Sequence, residues 1–172
     1  MREISADKIT NTFADLCQKA NLSLRKDVLA SLKLAYKKEG NKRAKEILEA
    51  IIKNASIAQK EKLAICQDTG MPVVFLKLGQ KVKIKGDLKA AVNKGVELGY
   101  RRASLRDSII TDPLTRGVSK YAPAVIHTDI VKGKKLKITV LPKGFGCENK
   151  SQLKMFKPTT AVNEIKKFII DT

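Results

Sequence analysis

Three short stretches of this chain collect side chains that can do chemistry. The first is Ile65-Cys66-Gln67-Asp68-Thr69-Gly70, followed at once by Met71-Pro72 and an apolar run. A thiolate is a soft metal ligand, and the amide and carboxylate beside it can orient a polar substrate or move a proton. The same residues also read as a turn into a strand carrying an inert cysteine. The second stretch places Arg101, Arg102 and Arg106 within six residues. A guanidinium fork pairs bidentately with carboxylate or phosphate, although arginines at a surface need no such partner. The third is Lys143-Gly144-Phe145-Gly146-Cys147-Glu148. Its two glycines leave backbone N–H groups free to face an anion and permit close approach. No third glycine or Lys-Ser ending is placed for a nucleotide fingerprint. Cys147 reads either as a second metal ligand or as a small residue in a tight loop. His127, the single histidine, sits in an alternating run without ligand partners at useful spacing and reads as a hydrogen-bonded structural residue.

Composition limits what these stretches can belong to. The chain has 172 residues, 35 Lys and Arg against 17 Asp and Glu, and a net charge of +18. One domain of this length buries about 70% of its unfolded surface. The excess charge attracts an anionic partner, either nucleic acid or a small carboxylate. The lysines are scattered, aromatic residues make 5% and tryptophan is absent, so no stacking platform for bases is evident. Specific nucleic-acid recognition is therefore not expected. The three cysteines, Cys17, Cys66 and Cys147, are widely spaced and odd in number. That argues against a disulfide framework and for a reducing, cytoplasmic setting. No run approaches the ~20 apolar residues of a membrane span, and the N-terminus lacks the apolar segment of a signal peptide.

The elements that must position these stretches follow from periodicity. Ser5 is placed to cap a first helix whose apolar face is Ile9, Phe13, Leu16, Cys17 and Ala20. That face puts Cys17 in the core. Asn21-Leu22-Ser23 breaks the helix, Ser23 caps a second with Val28, Leu29, Leu32 and Ala35 as its buried stripe, and Gly40 ends it. A third helix from about Lys42 to about Lys60 carries Ala44, Ile47, Leu48, Ile51, Ile52, Ala55 and Ala58, and delivers the chain to Cys66. Val73 to Leu78 and Val82 to Ile84 read as strands. Asp87 opens a fourth helix with Leu88, Ala91, Val92, Gly95, Val96 and Gly99 inward. Two glycines in a helix cost about 1 kcal/mol each relative to alanine, which implies close packing on another backbone. Asp112 to Gly117 reads as turn and loop. Ala124 to Val131 and Leu136 to Leu141, split by Lys132-Gly133-Lys134-Lys135, read as a β-hairpin. Thr160 is placed to cap a last helix with Ala161, Val162, Ile165, Phe168 and Ile169 on its apolar face. The expected fold is α+β: an N-terminal helical platform, then a small mixed sheet with packed helices.

Six segments occur in order: Cys66-Gln67-Asp68-Thr69-Gly70, Leu105-Arg106-Asp107-Ser108, Asp112-Pro113-Leu114-Thr115-Arg116, Pro123-Ala124-Val125-Ile126-His127, Ile130-Val131-Lys132-Gly133 and Lys143 to Ser151. Together they resemble the alpha region of iron–sulfur class I fumarate hydratases and the related L-tartrate dehydratases, over nearly the whole chain. The resemblance implies a hydro-lyase that interconverts a 2-hydroxydicarboxylate such as malate with its enoic acid at a [4Fe-4S] cluster. In that family three cysteines hold the cluster and a fourth iron, free of protein ligands, binds substrate. It further implies that Cys66 is a cluster ligand, that Gln67 and Asp68 contact substrate, with Asp68 taking part in proton transfer, that Arg106 clamps a substrate carboxylate, and that Gly144 and Gly146 line the site. Leaving hydroxide needs a Lewis acid, and a proton beside a carboxylate is released more easily when that charge is neutralised.

By the family pattern residues 1–172 are the N-terminal part of the alpha catalytic domain, truncated, with the other two cluster cysteines lying further C-terminal. A fumarase-type beta subunit is the implied partner, and a homo-oligomer is expected. Two departures stand out. Gly117-Val118-Ser119-Lys120-Tyr121 replaces the family's Asn-Thr-rich tract, and Cys147 stands where relatives often carry serine. Two other readings stand beside the hydro-lyase: a non-catalytic, truncated assembly subunit, and a basic nucleic-acid-binding module.

Overall fold

The computed structural model describes residues 1–146 and 151–172. The element order is β1 (Arg2–Ser5), α1 (Ala6–Leu22), α2 (Lys26–Lys38), α3 (Lys42–Glu61), β2 (Met71–Gly79), β3 (Val82–Lys85), α4 (Leu88–Arg102), β4 (Val125–Val131), β5 (Leu136–Lys143) and α5 (Val162–Asp171). This is an α+β fold, as expected. β1 pairs in parallel with β3, and a separate sheet has the order β4-β2-β5.

The core forms where α1 and α4 cover one face of that second sheet. Ile9 and Phe13 of α1, Val74 and Leu76 of β2, and Ala91 and Val92 of α4 are buried together. The Ser5 hydroxyl accepts from the Lys8 N–H and so caps α1, as its place before the helix predicts. Cys17 is fully buried, and its thiol is pushed up to about 12 by that burial. Gly95 and Gly99 let the two helices touch. A Cβ on Gly95 would lie 2.6 Å from the Phe13 Cβ, and one on Gly99 would lie 2.6 Å from the Ala14 carbonyl oxygen.

Expectations of four kinds are corrected. β4 and β5 do not form a hairpin, because β2 lies between them, parallel to β4 and antiparallel to β5. The Lys132–Lys135 linker crosses the end of β2 instead. It accepts the Gly79 N–H at the Lys135 carbonyl and the Lys81 N–H at the Gly133 carbonyl, both at 2.9 Å. Two strand spacings are about 10 Å, within reach of four extended residues. A Cβ on Gly79 would lie 2.6 Å from the Gly133 carbonyl oxygen, so the crossing requires glycine there. Second, Ser23 does not cap α2. Its hydroxyl and its N–H both donate to the Lys19 carbonyl and close α1, and α2 begins behind Arg25 without a side-chain cap. Likewise α5 begins behind Ala161, not Thr160. Third, α2 buries no residue fully, and α3 buries only Ala55 and Ala58 of its predicted stripe. Fourth, His127 is exposed and its ring stacks on Phe75 at 5.2 Å, a role of packing and not of hydrogen bonding. β1 has no signal in the sequence: Ile4 is the only apolar residue of Arg2–Ser5, too few to show alternation.

Candidate active site

The site is built from the loop that leaves α3. Lys62 takes a left-handed conformation (φ 57°) and ends that helix. The peptide of Ile65 is then gripped on both sides. Its N–H donates to the Asn21 carbonyl, and its carbonyl accepts from the Asn54 amide, each at 2.9 Å. α1 and α3 thereby fix the residue ahead of Cys66. The Cys66 thiol is exposed, and its Sγ accepts from the Asp68 N–H at 3.4 Å. The Gln67 side-chain oxygen lies 3.9 Å from the same sulfur.

Asp68 reaches across to the glycine loop. Its Oδ1 accepts the Phe145 N–H at 3.1 Å and its Oδ2 the Gly146 N–H at 2.8 Å. These two bonds, with smaller help from the Arg106 and Lys143 charges, hold its carboxyl below the usual carboxylate range. The glycines expected to line the site serve this contact directly. A Cβ on Gly144 would stand 2.8 Å from Oδ2, and one on Gly146 3.1 Å from it. Gly70 (φ 59°) packs its Cα where any side chain would overlap the Lys143 carbonyl. Cys147, Glu148, Asn149 and Lys150 lie outside the described residues, and with them the question of Cys147 as a ligand.

Thr69 is buried. Its hydroxyl donates to the Arg106 carbonyl and its own carbonyl accepts from the Tyr100 hydroxyl, both at 3.0 Å. The predicted arginine cluster divides. Arg101 binds Glu97 at 2.8 Å and lies over the Tyr121 ring, while Arg106 turns into an open cleft of about 660 Å³. Gln67, Asp68 and Phe145 line that cleft too, so the three chemically suggestive stretches converge there.

Ser108, Ser119, Asp107 and Arg116 also line it, and sequence reasoning alone gives them no role in a site. The signal for Arg116 is its place in Asp112-Pro113-Leu114-Thr115-Arg116. Asp112 organises that turn: its Oδ1 accepts from the Leu114 and Thr115 N–H groups at 2.7 and 3.1 Å, and its carbonyl from the Arg116 N–H. Arg116 then sits at φ 62°. The charges in the cleft are unevenly occupied. Asp68 is held by backbone N–H groups and Asp107 by the Ser119 hydroxyl at 2.9 Å. Neither Arg106 nor Arg116 pairs with a carboxylate among the described residues. An anion entering here therefore meets two available guanidinium groups.

Comparison with known proteins gives the family. The model of the family described as "Fumarate hydratase (Fumerase)" matches residues 10–172. The chain belongs to this family. It is 36% identical to "Putative L(+)-tartrate dehydratase subunit alpha" of Methanocaldococcus jannaschii, over 96% of this chain and 60% of that protein. It is 24% identical to "L(+)-tartrate dehydratase subunit alpha" of Escherichia coli K12, over 99% of this chain and 57% of that one. It is 28% identical to "Putative fumarate hydratase class I" of Geobacillus stearothermophilus, over 84% of this chain and 29% of that one. The chain thus spans about 60% or less of the length of these relatives.

Among the described residues no group of three or more His, Cys, Asp or Glu side chains could hold a metal ion. Cys66 offers one exposed thiol, and Cys17 is sealed in the core. A complete [4Fe-4S] site takes several thiolates, so the described residues do not by themselves fit such a cluster. Among the described residues no helix is long and apolar enough to cross a membrane.

Proposed function

We propose that this chain is the alpha part of a hydro-lyase that removes water reversibly from a 2-hydroxydicarboxylate, malate to fumarate being the type reaction, and that works with a fumarase-type beta subunit. In this reading residues 1–172 form the N-terminal part of the alpha catalytic domain. Cys66 contributes one thiolate to a [4Fe-4S] cluster whose remaining ligands come from outside the described residues. The observation that carries the reading is the cleft in which Gln67, Asp68 and Arg106 meet, with both its carboxylates engaged and both its arginines open to an anion.

The roles follow from what each group can do. Arg106 pairs with one substrate carboxylate and lowers the cost of negative charge beside it. Arg116 faces the same cleft and attracts the second carboxylate. The Gln67 amide both donates and accepts and so can bind a hydroxyl. Asp68 is ionised at neutral pH, because two N–H groups favour its charged form. It thus acts as a fixed charge and a weak proton acceptor, and above all it clasps the thiol loop to the glycine loop.

Arg106→Ala in the complete alpha–beta enzyme tests the reading. A hydrogen bond to a charged group is worth about 1.5–3 kcal/mol, so kcat/KM should fall about ten- to a few hundredfold. Arg106→Lys should restore only part, since it lacks the fork. Full activity in Arg106→Ala would remove Arg106 from the site.

A further inference from the structure

We propose that Thr69 and Tyr100 form a hydrogen-bonded strut that sets where Arg106 stands, and that they are positioning residues for substrate binding. The inference rests on the reading of Arg106 as a carboxylate clamp. Arg106 follows α4 through Ser104, which takes a left-handed conformation (φ 50°), and Leu105. Such a connection does not by itself fix the direction of the next side chain. Three bonds close it into a ring. The Leu105 N–H donates to the Tyr100 carbonyl at 2.9 Å. The Tyr100 hydroxyl donates to the Thr69 carbonyl, and the Thr69 hydroxyl donates to the Arg106 carbonyl, each at 3.0 Å. The ring begins and ends on the same turn of chain and passes through the residue next to Asp68.

The strut is stiff because it is buried. Tyr100 is 1% exposed and Thr69 2%. The Tyr100 ring packs with Cys17, Val96 and Leu105, against Ala64 and Tyr121. Burial also raises the pKa of the Tyr100 hydroxyl, which stays protonated and a donor. The bonds act only on the Arg106 backbone, and the guanidinium is left to the cleft. Removing the Thr69 hydroxyl would free the Arg106 carbonyl and let the guanidinium drift from the place that Asp68 and Gln67 define. Bidentate pairing is sensitive to such drift because both forks must align.

The experiment measures binding of succinate, a dicarboxylate with no hydroxyl to lose, to the complete alpha–beta enzyme by calorimetry. The variants are Thr69→Val, Thr69→Ser, Tyr100→Phe and Arg106→Ala. Thr69→Val is nearly isosteric and should weaken succinate about tenfold, a scale typical of a buried carbonyl left without its donor. Thr69→Ser keeps the donor and should stay within about twofold, and Tyr100→Phe should fall between. A double variant separates positioning from general damage. In an Arg106→Ala background Thr69→Val should cause no further loss, because there is no guanidinium left to place. If Thr69→Val weakens succinate equally with and without Arg106, or if Thr69→Ser is as poor as Thr69→Val, the strut is refuted while the clamp stands. If Arg106→Ala alone leaves succinate binding unchanged, the clamp is refuted and the strut with it.

Discussion

Two helix pairs in this molecule have much the same amphipathic pattern and opposite fates. α1 and α4 are pressed together so closely that Gly95 and Gly99 touch the α1 backbone. Between them and the sheet lie Ile9, Phe13, Val92 and Val96, all sealed. α2 and α3 also carry apolar stripes, yet Val28 is 40% exposed and Ile47 54%. The first pair has small residues at the crossing, which let backbones approach, and a sheet face to share. The second pair packs mainly on itself, with only a light contact from α3 to α1. Periodicity tells which side of a helix is apolar, while burial depends on what the rest of the chain brings to that side. The site follows this division. Cys17 belongs to the tight pair and is inert, and Tyr100 reaches the site from the same interface. The loose pair contributes Asn54, through α3, and little else.

The largest contrast is expected in cysteine reactivity. Burial moves the Cys17 thiol from 9.0 to about 12, so its thiolate population near neutral pH falls about a thousandfold even before access is considered. In a Cys147→Ser background iodoacetamide at pH 8 should label Cys66 and leave Cys17 unmodified until the protein unfolds. The linkage has a definite sign. The folded state holds the Cys17 proton more tightly than the unfolded chain does. Its contribution is complete below pH 9, is lost as pH rises from 9 towards 12, and should lower the melting temperature there. Equal labelling of Cys17 and Cys66 in the folded protein would mean that the α1–α4 interface opens readily.

A single type of substitution should next change sign between the two pairs. Gly95→Ala gains about 1 kcal/mol of helix propensity. It must also fit a methyl 2.5 Å from the Thr10 carbonyl oxygen and 2.6 Å from the Phe13 Cβ. Overpacking of this kind costs about 1–3 kcal/mol, with the higher end applying where backbone must move. The net result should be a loss of about 1–2 kcal/mol, or about 2–8 °C in Tm for a chain this long. Gly40, between α2 and α3, has nothing within 4 Å of an added Cβ, and its φ lies outside the left-handed region. Gly40→Ala should be neutral or stabilising by up to about 1 kcal/mol. Thermal melts of the two variants measure both signs, and a stabilising Gly95→Ala would show that the helices can separate without cost.

The same contrast explains which parts of the fold are legible in the sequence. Glycines at Gly95 and Gly99 in an otherwise apolar stripe announce close packing, because nothing else justifies their cost in a helix. Ser5 is legible as a cap because cap chemistry is local, whereas Ser23 misleads because the preceding helix claims its hydroxyl first. The β4–β5 hairpin fails for a physical reason. Short separation favours pairing, but Met71–Gly79 is a nearly unbroken apolar run, suited to a strand flanked on both sides. That run takes the central place and pushes the two alternating strands to its edges. The candidate site is legible at Cys66-Gln67-Asp68 and at Arg106, where reactive types cluster. Thr69 and Tyr100 are not, since each carries an ordinary hydroxyl that gains meaning only from the carbonyl it meets. Arg116 is visible within a motif but gains a role only once the Asp112 turn places it on the cleft.

The smallest effect is expected on the outer face of the loose pair, and it bears most directly on what separates the pairs. Leu34 lies on α2 and Ile47 on α3, each with about half its surface in water. Replacing either by glutamine removes apolar area that is only partly withdrawn from solvent and opens no enclosed cavity. Surface changes away from caps and networks usually stay within about 0.5 kcal/mol, so Leu34→Gln and Ile47→Gln should each change the urea midpoint little and leave its slope unchanged. The matching change in the tight pair, Val92→Ala, removes two methyl groups from a fully buried site. It should cost about 1–3 kcal/mol by lost transfer energy plus a cavity. If instead Leu34→Gln or Ile47→Gln approached that loss in the complete alpha–beta enzyme while remaining small in this chain alone, the outer face of α2 and α3 would be covered in the assembly. These exposed apolar residues would then be explained by a partner surface and not by the fold of residues 1–172.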